Sequence, residues 1–217
     1  VDMLEFTRLK RNHKNDFSGL KSIKVALLCD SSSQLLNIAL RGCGYDKGLD
    51  LQIYEADYDQ IEQQVFDASS ELYEFKPEYV IISLSPYKLR KKFQQADKHY
   101  RVKFADDIRD KIAGYTDTLQ SLLPGCKIIC FNVNELNDSV FGNYANKVKE
   151  SFVYQIRKLN YLISELSAGA ANLYVNDIQL LQSQVGNEHI IDYKNYISAD
   201  SIWSIHFLPL LSKNILD

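Results

Sequence analysis

The chain has 217 residues, 46% hydrophobic and 24% charged, which suits one sizeable globular domain and argues against a disordered segment. Its formal net charge of −3 gives no pull toward nucleic acid or an anionic membrane, so neither is expected as a partner. No signal-peptide pattern opens the sequence, and no apolar run is long enough to span a bilayer.

In chain order, residues 1–22 read as a leading segment in which Arg8-Leu9-Lys10-Arg11 is a solvated basic run, and residues 23–217 read as the α/β domain proper. Residues 23–28 (Ile-Lys-Val-Ala-Leu-Leu) form a short apolar run closed by Asp30-Ser31-Ser32-Ser33, a buried strand entering a loop. Leu35, Leu36, Ile38, Ala39 and Leu40 follow at helical spacing until Gly42 and Gly44, where the helix is expected to stop. Residues 49–56 read as a second strand, residues 61–73 as an amphipathic helix, and Lys76-Pro77-Glu78 as a turn. Residues 79–84 are apolar enough for a central strand of a parallel sheet. Residues 88–123 have a long helical pattern with Gly114 as its break, and Pro124-Gly125 leads into a fourth strand at 127–131. A polar loop at 132–144, a helix at 145–166, a fifth strand at 171–175 and a final helix near 202–211 complete the pattern.

Alternating strands and helices predict a three-layer α/β/α sandwich around a mostly parallel five-stranded sheet of flavodoxin-like order. Right-handed crossovers bring the carboxyl ends of the strands to one edge, where ligands bind in such sheets. The loops to watch are therefore 30–34, 57–60, 85–87, 132–143 and Asn176-Asp177.

Cys29 and Cys130 lie in apolar runs; Cys126 and Cys130 have a spacing loosely like metal ligands, but no second Cys/His pair answers them. The four cysteines, Cys43 included, read as reduced structural thiols, with a cytoplasmic setting, no metal site and no cofactor expected in this domain. His13, His99 and His189 are expected at the surface.

The strand, Asp30-Ser31, helix pattern carries the chemistry. A serine beside a helix start has backbone N–H donors that stabilise charge developing on an acyl oxygen. Asp and Ser are also favoured helix caps, so the local motif serves either role. With Pro77-Glu78-Tyr79-Val80-Ile81-Ile82 and a late Asp200, the order and spacing resemble the SGNH (GDSL-like) hydrolases. Ser31 matches their nucleophile, with Cys29 replacing the leading Gly of Gly-Asp-Ser. The departures are specific. There is no glycine between Gly48 and Gly114 to serve the oxyanion hole. Ser85-Pro86-Tyr87-Lys88 stands where the family reads Gly-x-Asn-Asp, so Tyr87 replaces the oxyanion Asn. Asp200-Ser201-Ile202-Trp203 stands where it reads Asp-x-x-His, so Trp203 replaces the base, with His206 one helical turn later. Losing one oxyanion donor costs roughly a hundred- to a thousandfold in rate. Losing the base costs on the order of a millionfold.

Four further stretches are similar to the N-terminal, SGNH-like domain of FkbH-like proteins of the HAD superfamily (subfamily IIIC). They are Cys29-Asp30-Ser31-Ser32-Ser33-Gln34-Leu35-Leu36, Glu55-Ala56-Asp57-Tyr58-Asp59-Gln60, Ser70-Glu71-Leu72-Tyr73-Glu74-Phe75-Lys76-Pro77, and Asn137-Asp138-Ser139-Val140-Phe141-Gly142-Asn143-Tyr144. The resemblance implies a downstream HAD catalytic domain in the same protein. It also implies an acyl carrier protein as partner, since family members load a glyceryl unit from a phosphorylated donor onto a carrier. That activity belongs to the HAD part.

Two functional readings follow, beside a plain structural module. In one, the domain is a degenerate SGNH fold that positions a carrier, substrate or partner domain, with Asp30, Asp57, Tyr58, Tyr87, Glu135 and Trp203 on or near the polar edge. In the other it is an active serine esterase. There Ser31 attacks, His206 takes the proton, Asp200 orients it, and the N–H groups of Ser31 and Ser32 with Asn132 or Asn143 hold the oxyanion.

Overall fold

The computed structural model of the chain describes residues 3–57, 59–137 and 140–217. Five apolar runs become the strands β1 (Lys21–Cys29), β2 (Leu49–Glu55), β3 (Tyr79–Ser83), β4 (Lys127–Phe131) and β5 (Leu173–Asn176). They lie in the order β2-β1-β3-β4-β5, every neighbouring pair parallel, with Leu27 beside Ile81 and Ile82 beside Cys130. The sheet, its flavodoxin-like order and the central place of β3 agree with the sequence expectation.

Side chains alternate across a strand, so each strand feeds two cores. Ala26, Leu28, Val80, Ile82, Ile128 and Cys130 face one core, completed by α3 (Ile61–Phe66), α4 (Glu71–Phe75), α5 (Pro86–Gln95), α6 (Lys98–Arg101), α7 (Phe104–Leu122) and α8 (Phe152–Gly169). Val25, Leu27, Cys29, Ile81 and Phe131 face the other. It is closed by α1 (Met3–Asn12), α2 (Gln34–Asp46), α9 (Ile178–Val185), α10 (Asn187–Ile190), α11 (Tyr193–Ala199) and α12 (Leu208–Leu216). All four cysteines are buried and free.

Several element boundaries differ from the pattern reading. The basic run at 8–11 is not wholly solvated: it lies on α1, which buries Phe6 and Leu9 against α2. Gly42 and Gly44 do not end α2. A Cβ on Gly42 would sit 2.2 Å from the Leu9 carbonyl oxygen, so this glycine lets α1 approach, and the helix stops before Gly48 at φ +72°. The helix expected over 61–73 breaks at Asp67, whose carboxylate accepts from Ser69 N at 2.9 Å and draws the backbone into a turn. The long pattern after residue 88 breaks at Asp97, which caps Tyr100 N at 2.8 Å, while Gly114 stays inside α7. The helix expected from 145 starts only at Phe152, capped by Ser151 and preceded by a 3-10 turn at Gly142–Lys147. The polar tail holds the short helices α9, α10 and α11, and the final helix runs Leu208–Leu216, beyond the expected 202–211. Among the described residues no helix is long and apolar enough to cross a membrane.

Candidate functional site

Strand order reverses direction between β1 and β3, which opens a crevice at their carboxyl ends. Asp30 fills its floor. Its N–H donates to the Ser83 carbonyl at 3.3 Å, and its Oδ1 accepts from Ser85 N at 2.7 Å, leaving the residue only 9% exposed. Ser85 caps α5 by accepting from Lys88 N at 3.3 Å, with Pro86 preset in the first turn. That turn aims Lys88 back across the crevice. Its Nζ donates to the Asp30 carbonyl and lies 3.2 Å from Asp200 Oδ2. Asp200 ends α11 in the left-handed region at φ +50°, and its carbonyl accepts from Ser32 N at 3.0 Å. Burial pushes the Asp30 carboxyl up to about 7; the Ser85 hydrogen bond and the Lys88 charge pull against it, and Asp59 and Asp200 add to it.

Ser31 is 5% exposed beside this cluster, three residues before α2 and not in its first turn. The next hydroxyl but one, Ser33 Oγ, donates to Glu55 Oε1 at 2.6 Å, and Asn37 Nδ2 reaches Glu55 Oε2 at 3.0 Å, tying β2 to α2. His206 is half-buried, its Nδ1 sealed from solvent, and among the described residues no hydrogen bond joins it to Ser31. Trp203 is not on the edge. It packs into the second core, 6.3 Å from the Phe131 ring and 5.7 Å from Phe207, where the large indole buries its apolar area. Tyr87 stacks on Tyr196 with ring centroids 4.4 Å apart, and Arg90 lies over its ring at 5.3 Å.

The remaining predicted residues gather elsewhere on the edge, beyond β4. Asn132 Nδ2 donates to Asp177 Oδ1 at 2.8 Å and Asn132 Oδ1 accepts from Gln179 N at 3.2 Å, fixing the start of α9. Glu135 pairs with Arg157 through two hydrogen bonds of 2.7 and 2.8 Å. Its backbone is clamped by the Gln182 amide at 2.9 and 2.8 Å. Exposed Asn143 shares a cleft of about 370 Å³ with Glu135 and Arg157. Asp57 is exposed on the far rim, beside Glu55, and Tyr58 and Asp138 lie outside the described residues. The expected single convergence is thus two clusters: Asp30, Ser31, Ser32, Tyr87 and Asp200 at the crevice, and Asn132, Glu135 and Asn143 after β4.

Sequence reasoning placed Ser85 and Asp177 in the loops to watch without giving either a role, and it missed Lys88 and Arg157 as participants. Lys88 carried a signal, since it occupies the position of the SGNH family's Asp in Gly-x-Asn-Asp. Arg157 carried none, being one charge on a helix face. Among the described residues no three His, Cys, Asp or Glu side chains are grouped to hold a metal ion.

The chain matches the family described as FkbH, N-terminal domain, over residues 24–217. It is 33% identical, with a TM-score of 0.92, to the N-terminal part of a Bacteroides fragilis protein that contains a phosphatase domain, solved with Mg. That match covers 98% of this chain and 55% of the other, so the chain spans about half the length of that relative. TesA shares the fold at TM-score 0.60 and 13% identity, over 90% of this chain and 96% of its own. A lipase from a goat rumen metagenome does so at 0.57 and 12%, over 90% and 96%. No curated protein matches the chain.

Proposed function

The chain belongs to the FkbH N-terminal domain family, and on that premise we propose that its serine edge positions other molecules and does not hydrolyse them. The observation that carries this reading is Lys88. A triad carboxylate serves by orienting and stabilising an imidazolium. The Asp200 carboxylate instead pairs with an ammonium at 3.2 Å, and a fixed positive charge there opposes formation of a second one on a nearby base. Two of the donors the hydrolytic scheme needs are spent as well: Ser32 N on the Asp200 carbonyl, and Asn132 Nδ2 on Asp177. In this reading the domain works within a longer protein carrying a HAD-type catalytic domain, as the phosphatase-domain relative suggests, and presents a carrier protein or substrate to it.

The alternative, a serine esterase using Ser31, draws on the retained Asp30-Ser31 pair. A serine-reactive fluorophosphonate separates the two. The native domain and Ser31→Ala are expected to show equal, negligible mass shifts by intact mass spectrometry. Stoichiometric labelling of the native domain that vanishes in Ser31→Ala sinks the positioning reading.

A further inference from the structure

The cleft of about 370 Å³ after β4 lies within the size range of small-molecule sites, and it keeps polar groups that the fold does not use. Among the described residues its charged lining is Glu135 and Arg157, which are paired with each other through two hydrogen bonds. The remaining guanidinium nitrogen, Arg157 Nη1, donates to Asn146 Oδ1, and Asn146 Nδ2 donates to the Asn143 carbonyl at 3.0 Å. Gln182 is committed as well: its Oε1 accepts from Glu135 N, and its Nε2 donates to the Glu135 carbonyl and to Asn187 Oδ1.

The unused groups are carboxamides. Asn187 Oδ1 also accepts from buried Asn134 Nδ2 at 3.5 Å, which fixes the orientation of this amide and leaves its Nδ2 as a spare donor. Asn137 and Asn143 line the cleft with exposed carboxamides that make no hydrogen bond among the described residues. Glu135 Oε2 accepts from Arg157 alone among the described residues, so it retains a lone pair. Leu136 and Val153 supply an apolar wall. Phe141 and Tyr144 flank the lining pair Gly142-Asn143 and are exposed, so aromatic surface adjoins the site.

We propose that this cleft binds an uncharged, polyhydroxylated small molecule, a sugar or a polyol, through the carboxamides of Asn137, Asn143 and Asn187 and the open lone pair of Glu135. The chemistry of the lining selects the class. A hydroxyl donates and accepts at once, and a carboxamide offers a donor and an acceptor in one plane, so each hydroxyl finds both partners here. An anion would meet the Glu135 carboxylate and a cation the Arg157 guanidinium, and in each case the opposite charge is already spent within the pair. An apolar ligand would strip water from three amides and return no hydrogen bond. The apolar wall suits the C–H face of a ring. The site needs neither a reactive Ser31 nor a docked carrier, so it stands apart from the reading of the serine edge.

The probes are D-glucose, D-galactose, D-mannose and myo-inositol, each titrated into the protein to about 100 mM and followed by backbone and side-chain amide NMR. At least one is expected to saturate with a dissociation constant of about 10 mM or tighter, moving the side-chain amide signals of Asn143 and Asn187. Its affinity should be the same at about 0.05 and 0.5 M NaCl. Glucose 6-phosphate and glucosamine, which carry a charge on the same ring, should bind no tighter than glucose. Asn143→Ala, a change at an exposed position, should weaken binding about fivefold, as loss of one hydrogen bond does. Val153→Phe, which fills the cleft from its apolar wall, should abolish binding. Absence of a saturable shift with all of these neutral probes in the folded protein overturns the proposal. So does binding that Asn143→Ala and Val153→Phe leave unchanged, or that tightens more than about tenfold for a charged analogue.

Discussion

The two halves of the sheet's carboxyl edge use buried polar residues in opposite ways. After β4, Asn132, Asp177, Glu135, Arg157 and Gln182 answer one another directly: each amide or carboxylate meets a donor or acceptor of matching kind, and the one ion pair is half-exposed. After β1 and β3, the Lys88 ammonium and the Asp30 and Asp200 carboxyl groups crowd into one crevice, and burial pushes the Asp30 carboxyl up to about 7. The first half behaves as helix capping and loop anchoring. The second opposes ionisation of one of its own members at neutral pH, a pattern found where sites bind or react. Polar residues at strand ends are therefore not equivalent evidence. What distinguishes them is whether their hydrogen-bonding capacity is used up.

The largest expected effect tests the charged half. Burial raises the Asp30 carboxyl from its ordinary 3.8 to about 7, so its neutral form is the one the fold favours. Its share of stability is complete below pH 3.8 and is lost as pH rises to about 7. Asp30→Asn cannot ionise and keeps an oxygen for Ser85 N. It should exceed the native domain in stability by about 2–4 kcal/mol at pH 8 and match it near pH 4. Urea denaturation across that range measures this, and a native profile that is flat from pH 4 to 8 removes the contrast between the two halves.

Lys88→Met comes next. It leaves the Asp200 carboxylate and the Asp30 carbonyl without their shared ammonium, at a cost of about 2–3 kcal/mol near pH 8. Because that ammonium holds the Asp30 carboxyl down, the pH-dependent fall in stability should also move to higher pH. A loss of stability with no movement of the pH profile would mean that Lys88 acts only by packing.

The smallest effect belongs to the other half. Glu135→Gln breaks the Arg157 pair, whose side chains are 29% and 50% exposed, and should cost less than about 1 kcal/mol. A larger loss would show that this half too is held by charge.

Much of the frame was legible in the sequence because strands buried on both faces read as continuous apolar runs. Residues 23–28, 79–84 and 127–131 announced β1, β3 and β4 within two residues at each end. Helix boundaries were harder. The break at Asp67 and the passage of α2 through Gly42 depend on a side-chain turn and on the neighbouring α1, and neither changes the periodicity of the apolar residues. Of the candidate site, Asp30, Ser31 and Asp200 were found because their order along the chain follows a family motif. Trp203 was misplaced because a motif position says which residue is present and not which way it points.

The sequence by itself determined the alternating α/β pattern, the parallel sheet and the position of Asp30-Ser31 at a strand end, since all three follow from local hydrophobic period and turn chemistry. Only the tertiary structure decided that Lys88 crosses the crevice to Asp200, that Asn132 is committed to Asp177, and that Asp30 is desolvated. The physical reason is that pairing and burial depend on distances between elements far apart in the chain, such as the 3.2 Å between Lys88 and Asp200, which no local pattern encodes.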